Sequence, residues 1–210
     1  MIYENPEFVR HLQSVLEFVG TFAFAISGIR LAASKHFDWF GGFVCGFAVA
    51  IGGGTIRDVM LGVTPFWMTS SLYLIWTLFA QAIVVVFYHY LKRLDRTWLF
   101  FGTLGLALFT IAGIQKTLSM GHPYWVAVIM GCITGAAGGV IRDVLLNEVP
   151  VIFRKEIYAS ACVAGGASYW FLQTVGAPVY VTVLVSFVVV CAIRFLAVRF
   201  RISLPKLHEG

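Results

Sequence analysis

Charge is what this chain has least of. Only 12% of its 210 residues are Asp, Glu, Lys or Arg, against 60% hydrophobic residues. A soluble domain carries about 25% charge, so a water-soluble globular fold does not fit. Cysteine is also sparse. Cys45, Cys132, Cys162 and Cys191 have no metal-ligand spacing and fall inside apolar runs. They read as small packing residues, with no disulfide framework and no thiolate metal site. No nucleophile–base constellation or metal signature is visible. Gly-Gly-Gly-Thr at 52–55 is not a phosphate-cradling loop, because no Lys-Ser/Thr follows it. His11, His36, His89, His122 and His208 form no ligand cluster. An enzyme is not expected, nor is a cofactor. Residues 1–11 carry Glu4, Glu7 and Arg10 and lack a basic region followed by an apolar core. No cleavable signal peptide is expected, and the first apolar run serves as its own insertion signal.

What the chain has in abundance is apolar length. Mean hydropathy is +0.87, and seven runs read as membrane spans, at about 12–33, 39–61, 70–91, 97–115, 124–146, 157–175 and 178–198. Each is near the roughly 20 residues needed to cross a bilayer. The fold class expected is all-α, a polytopic membrane protein forming one membrane domain over 1–210. Seven spans put the termini on opposite sides. Arg10, Arg57 and Lys116 fall on one side and the other twelve basic residues on the other. That asymmetry places the N-terminus outside and the C-terminus in the cytoplasm. The net charge of +5 then reflects orientation and contact with anionic membrane lipids, and gives no support to nucleic-acid binding. Trp39, Trp67, Trp76, Trp98, Trp125 and Trp170 mostly lie near span ends, as an interfacial belt does.

One phrase occurs twice. Gly52-Gly53-Gly54-Thr55-Ile56-Arg57-Asp58 returns as Ala137-Gly138-Gly139-Val140-Ile141-Arg142-Asp143, at an offset of 85 residues. Phe24/Phe109, Gly28/Gly113, Gly46/Gly131, Pro65/Pro150 and Tyr73/Tyr158 match at the same offset, over roughly 16–90 and 101–175. The repeat units are 12–91 and 97–175, followed by a seventh helix at 178–198 without a counterpart and a basic tail at 199–210. Three spans per unit is an odd number, so the second unit starts on the opposite side and the repeats are inverted. Doubled, glycine-broken apolar segments in such repeats mark a transport path.

The candidate site follows from the duplicated phrase. Each glycine costs a helix about 0.8–1.0 kcal/mol relative to Ala, so Gly52, Gly53, Gly54, Gly138 and Gly139 invite a kink or a short unwound stretch. Backbone freed at that depth must be buried or line a water-filled cavity. Close helix packing through small residues is the alternative. Arg57-Asp58 and Arg142-Asp143 come about a turn later. Charges in spans face the interior or water. Neighbouring side chains point about 100° apart, so each Arg is expected to pair with an Asp elsewhere, including in the other repeat. The pairs either lock the helices or line the two vestibules of one path. Glu17 is an acid in the first span whose counterpart is Gly102. Lys116 ends the fourth span, as a gate or voltage-sensitive charge or as a snorkelling side chain.

The doubled glycine-rich motif with Arg-Asp, on two inverted three-helix repeats plus a seventh helix, resembles the prokaryotic TRIC (trimeric intracellular cation) channels. These sit within a wider family of duplicated bacterial membrane proteins, some labelled glycine transporters. The resemblance covers about 12–198. It implies a homotrimer in the bacterial inner membrane, with one K⁺-permeable monovalent cation pore per protomer near the second and fifth spans. A secondary transporter of a small solute such as glycine is the alternative.

Overall fold

The computed structural model describes residues 6–93, 97–153 and 157–202. Eight α-helices run through them: α1 (Pro6–Ser34), α2 (Trp39–Met60), α3 (Leu72–Val86), α4 (Tyr88–Arg93), α5 (Thr97–Ser119), α6 (Tyr124–Leu145), α7 (Ala159–Thr174) and α8 (Val179–Phe200). One-turn 3₁₀ segments follow α2 at Phe66–Thr69 and α6 at Val151–Phe153. Five helices, α1, α2, α5, α6 and α8, are long and apolar enough to cross a membrane, and the chain is a multi-pass membrane protein. α3, with 15 residues, and α7, with 16, are shorter. The run read as one span over 70–91 is divided at Phe87, so that α4 continues α3 as a separate segment. The terminal segments 1–5 and 203–210, including Lys206, lie outside the described residues, as do Arg96, Arg154 and Lys155.

α1, α2, α5 and α6 form the centre: α1 packs on α2 and α5, and α6 packs on α5 and α2. α3 lies against α1, while α7 lies against α6 and α8. The ends of these helices repeat as the sequence does. Gly62 (φ +70°) closes α2, and Asn147 (φ 54°) closes α6 at the same offset. In both, the chain turns left-handed and the next amide bonds the aspartate carbonyl, Val63 N–H to Asp58 O and Glu148 N–H to Asp143 O. At the centre of the bundle Phe24 stacks on its counterpart Phe109, centroids 5.4 Å apart and planes 11° from parallel.

The glycine run does not break its helix. α2 is helical from 39 to 60 and α6 from 124 to 145 without interruption, which corrects the expectation of an unwound stretch. The glycines serve the crossing of α2 on α6. A Cβ on Gly53 would lie 2.0 Å from the Thr134 carbonyl oxygen, and one on Gly138 would lie 2.7 Å from the Val49 carbonyl oxygen. Thr134 is the counterpart of Val49, so the two approaches are reciprocal. Packing gained from backbones in contact outweighs the low helix propensity of glycine. Gly52 abuts Ile141, Gly54 abuts Phe66 and Gly139 abuts the Tyr158 hydroxyl.

Candidate conduction site

Each aspartate of the duplicated phrase is held in the same way. Asp58 Oδ1 accepts from Arg57 Nε at 2.7 Å, and its Oδ2 accepts the Phe66 N–H at 2.7 Å. Asp143 Oδ1 accepts from Arg142 Nε at 2.9 Å and Nη2 at 2.7 Å, and its Oδ2 accepts the Val151 N–H at 2.9 Å. The expectation that each arginine would pair with an aspartate elsewhere is thereby corrected for both. The flexible arginine side chain wraps back onto its neighbour, because the 3₁₀ turn fixes the aspartate beside it. The signal for that turn was present in the matched Pro65 and Pro150, which open the two 3₁₀ segments.

The two clusters differ in what is added. At the first, Arg57 Nη2 donates to Glu17 Oε1 at 2.8 Å, and the Tyr73 hydroxyl is 3.4 Å from Glu17 Oε2. Lys116 Nζ, from α5, lies 2.8 Å from Asp58 Oδ1. Two acids and two bases thus balance in a nearly dry site: Arg57 and Asp58 are fully buried, and only Lys116 reaches solvent. Glu17 is accordingly a buried ion-pair partner, and Lys116 a cap on Asp58. At the second cluster the counterpart of Glu17 is Gly102, and Arg142 uses neutral partners. Its Nη1 donates to Ser27 Oγ at 3.0 Å, Ser27 donates on to the Trp98 carbonyl at 2.9 Å, and the guanidinium sits 5.1 Å from the centre of the Trp98 ring. Ser27, Phe66 and Val151 were not singled out from the sequence, Trp98 was read only as part of the interfacial belt, and Tyr73 only as a match to Tyr158.

A cavity adjoins each cluster, at opposite ends of α1 and α5. One, of about 390 Å³, is lined by Arg10, Gln13, Ser14, Thr64 and Lys116 among others. The other, of about 210 Å³, is lined by Leu31, Trp98, Asp143, Glu148, Val149 and Val151. Lys116 and Leu31, Gln13 and Trp98, and Thr64 and Val149 are counterparts at the 85-residue offset. The first mouth is therefore basic and the second acidic. Lys35, at the end of α1, bridges to Glu148 at the rim of the acidic mouth. None of the five glycines lines either mouth. Cys45, Cys162 and Cys191 are buried free thiols, and Cys132 is half-buried.

A family model described as "Glycine transporter" matches residues 14–89 and again 99–174. The UPF0126 inner membrane protein YadS of Escherichia coli (strain K12) is 39% identical over 194 residues, covering 90% of this chain and 93% of that protein. Among solved structures, the TRIC trimeric intracellular cation channel orthologue from Rhodobacter sphaeroides superposes with a TM-score of 0.85 at 32% identity, over 90% of this chain and 98% of that one. A second structure, described for the structural basis of conductance through TRIC cation channels, gives a TM-score of 0.82 at 34% identity, over 94% and 98% of the two chains. The chain belongs to this glycine-transporter (UPF0126) family, and its fold is that of the TRIC channels.

Proposed function

We propose that this protein is a cation channel conducting K⁺ and other monovalent cations, with one path through each protomer of a homotrimer. The path runs between the two mouths, past Glu17, Arg57, Asp58 and Lys116 at one end and Arg142 and Asp143 at the other. The observation that carries this reading is the placement of two aspartates, equivalent by duplication, beside two cavities at opposite ends of the same helices. Seven spans over 12–198, as inverted repeats 12–91 and 97–175 plus α8, account for that placement. The reciprocal approaches of Gly53 to Thr134 and Gly138 to Val49 support a pseudo-two-fold axis in the membrane plane. The basic asymmetry puts the Lys116 mouth outside and the Asp143 mouth in the cytoplasm, in a bacterial inner membrane.

The arginine–aspartate pairs are structural in this reading, and Lys116 is the gate. Arg57 has both Asp58 and Glu17 to offset its burial, whereas Arg142 has Asp143 as its one acid among the described residues, and leaving a buried charge without an opposite one costs about 3–5 kcal/mol. Lys116 is different, because it reaches solvent and the Arg57–Asp58 bond does not depend on it. Its ammonium occupies the place beside Asp58 Oδ1 that a permeating cation would take. Displacing it exposes a carboxylate to the mouth, which concentrates cations there. The glycines keep α2 and α6 close and set the width of the path, with no direct contact to the ion.

A carrier of a small solute such as glycine is the second reading, favoured by the description of the matching family model. Liposomes containing the purified protein separate the two. A channel releases K⁺ at a rate linear in concentration and unaffected by glycine. Saturable glycine uptake without K⁺ release would replace the channel with the carrier.

A further inference from the structure

A cavity of about 450 Å³ opens where the end of α1, the start of α2 and the end of α3 converge, apart from both mouths. Its floor is apolar, made by Ile29, Ala33 and Val84, and Phe37, Trp39 and Tyr88 supply aromatic walls. Two acceptors face it, one from the buried amide of Gln81 and one from the exposed carboxylate of Asp38. Gln81 Nε2 donates to the Trp39 carbonyl at 2.8 Å, and that bond fixes which way the amide faces. Gln81 Oε1 is then buried with no hydrogen-bond partner among the described residues. Asp38 Oδ1 caps α2 by accepting the Gly41 N–H at 2.7 Å, and its second oxygen has no partner among the described residues. Among the described residues Asp38 is also the only Asp, Glu, Lys or Arg in the lining. A buried bare carbonyl is costly unless a donor reaches it. Carboxylate, carbonyl and ring faces together are what an ammonium group binds.

A second charge narrows the choice. The Arg30 guanidinium, donating to the Leu91 carbonyl, sits behind one wall 5.8 Å from the centre of the Tyr88 ring. His36 and His89 also line the cavity, and both offer ring N–H donors. These groups oppose a lone cation and favour one that carries its own anion.

The equivalent face of the other repeat is filled differently. At the 85-residue offset Gln81 becomes Gly166, Val84 becomes Tyr169 and Val85 becomes Trp170. Trp170 stacks on Tyr124 with centroids 6.1 Å apart, and a Cβ on Gly166 would already meet Val128 at 2.8 Å. α8 then covers that face, with Val183 packed in the Tyr169 cluster and the Thr182 hydroxyl accepting from Gln173 Nε2 at 3.0 Å. α8 has no counterpart in the first repeat. The cavity persists there, with an amide placed in it where the other repeat has glycine.

We propose that this cavity binds a small zwitterion, a primary ammonium beside an anionic group. The ammonium goes to Gln81 Oε1 and Asp38, and the anionic group to the side of Arg30, His36 and His89. A lipid phosphoethanolamine headgroup and a free amino acid such as glycine both carry that chemistry. The site lies outside the conduction path, so the test leaves currents aside. The purified, delipidated protein is titrated with phosphatidylethanolamine or phosphatidylglycerol, and bound lipid is counted by native mass spectrometry. Glycine and O-phosphoethanolamine are added as competitors, and their own binding is measured by calorimetry. The expected result is a preference of at least about tenfold for the ethanolamine headgroup, the equivalent of one charge-assisted hydrogen bond, or glycine binding in its place. Gln81→Leu should abolish it. Asp38→Asn, which keeps the helix cap, should weaken it with helix content unchanged. Competition by the free zwitterions identifies a soluble ligand, and its absence identifies the lipid. Equal retention of both lipids without glycine or phosphoethanolamine binding would overturn the proposal. So would unchanged binding in both variants.

Discussion

Lys116 Nζ lies 2.8 Å from Asp58 Oδ1, joining α5 of the second repeat to α2 of the first. The position equivalent to Lys116 is Leu31, beside the other mouth, so Asp143 has a leucine where Asp58 has an ammonium. Lys116→Met should preserve the side chain's length and remove the charge. We expect a stable protein with higher open probability or conductance for K⁺, measured on single channels. Reduced current from a well-folded variant would show that Lys116 assists the ion.

The two aspartates should differ in what their loss does. Asp58→Asn leaves Arg57 bonded to Glu17 and frees Lys116, at a cost of about 1–3 kcal/mol. Asp143→Asn leaves Arg142 buried with Ser27 and the Trp98 face as its other partners, and should cost about 3–5 kcal/mol. Unfolding in mixed micelles gives the order, and Arg142→Gln added to Asp143→Asn should recover part of the loss. Equal destabilisation by the two variants would mean that Glu17 does not compensate Arg57.

Gly53→Ala places a methyl 2.0 Å from the Thr134 carbonyl oxygen. Backbone cannot yield as a side-chain tip can, so α2 and α6 must part, and overpacking typically costs about 1–3 kcal/mol. Gly42→Ala, whose nearest neighbour would be 3.8 Å away, is the control and should be tolerated. Melting temperatures of the two variants check this. Equal stability would mean that the crossing is looser than the backbone approach implies.

The sequence made the duplication, the membrane class and the Arg-Asp pairs legible, because each is a local pattern repeated at a constant offset. Glu17 was legible only as an acid in an apolar run. Its partner Arg57 is 40 residues away, and no counterpart in the second repeat marks the pair. The glycines were read first as sites of a kink or a short unwound stretch, with close helix packing as the alternative. Propensity alone favours the first, and the reciprocal neighbours Thr134 and Val49 show the packing. The division of α3 and α4 at Phe87 had no signal of glycine or proline near it.

Lys35 and Glu148 form an exposed pair at the acidic mouth, and such pairs contribute about 0–1 kcal/mol. Lys35→Gln should leave stability unchanged and remove one positive charge from the rim of that mouth. Conductance should rise in dilute KCl, and the gain should vanish near 1 M, where screening shortens to about 3 Å. A gain that survives at high salt would indicate a change of shape in place of charge.

Cation conduction itself is tested most directly by the reversal potential of the purified protein in a planar bilayer with KCl asymmetric across it. The account predicts unitary currents reversing close to the K⁺ equilibrium potential, in the wild type and in Lys116→Met. Currents reversing near the Cl⁻ potential, or no unitary currents in either protein, would contradict it.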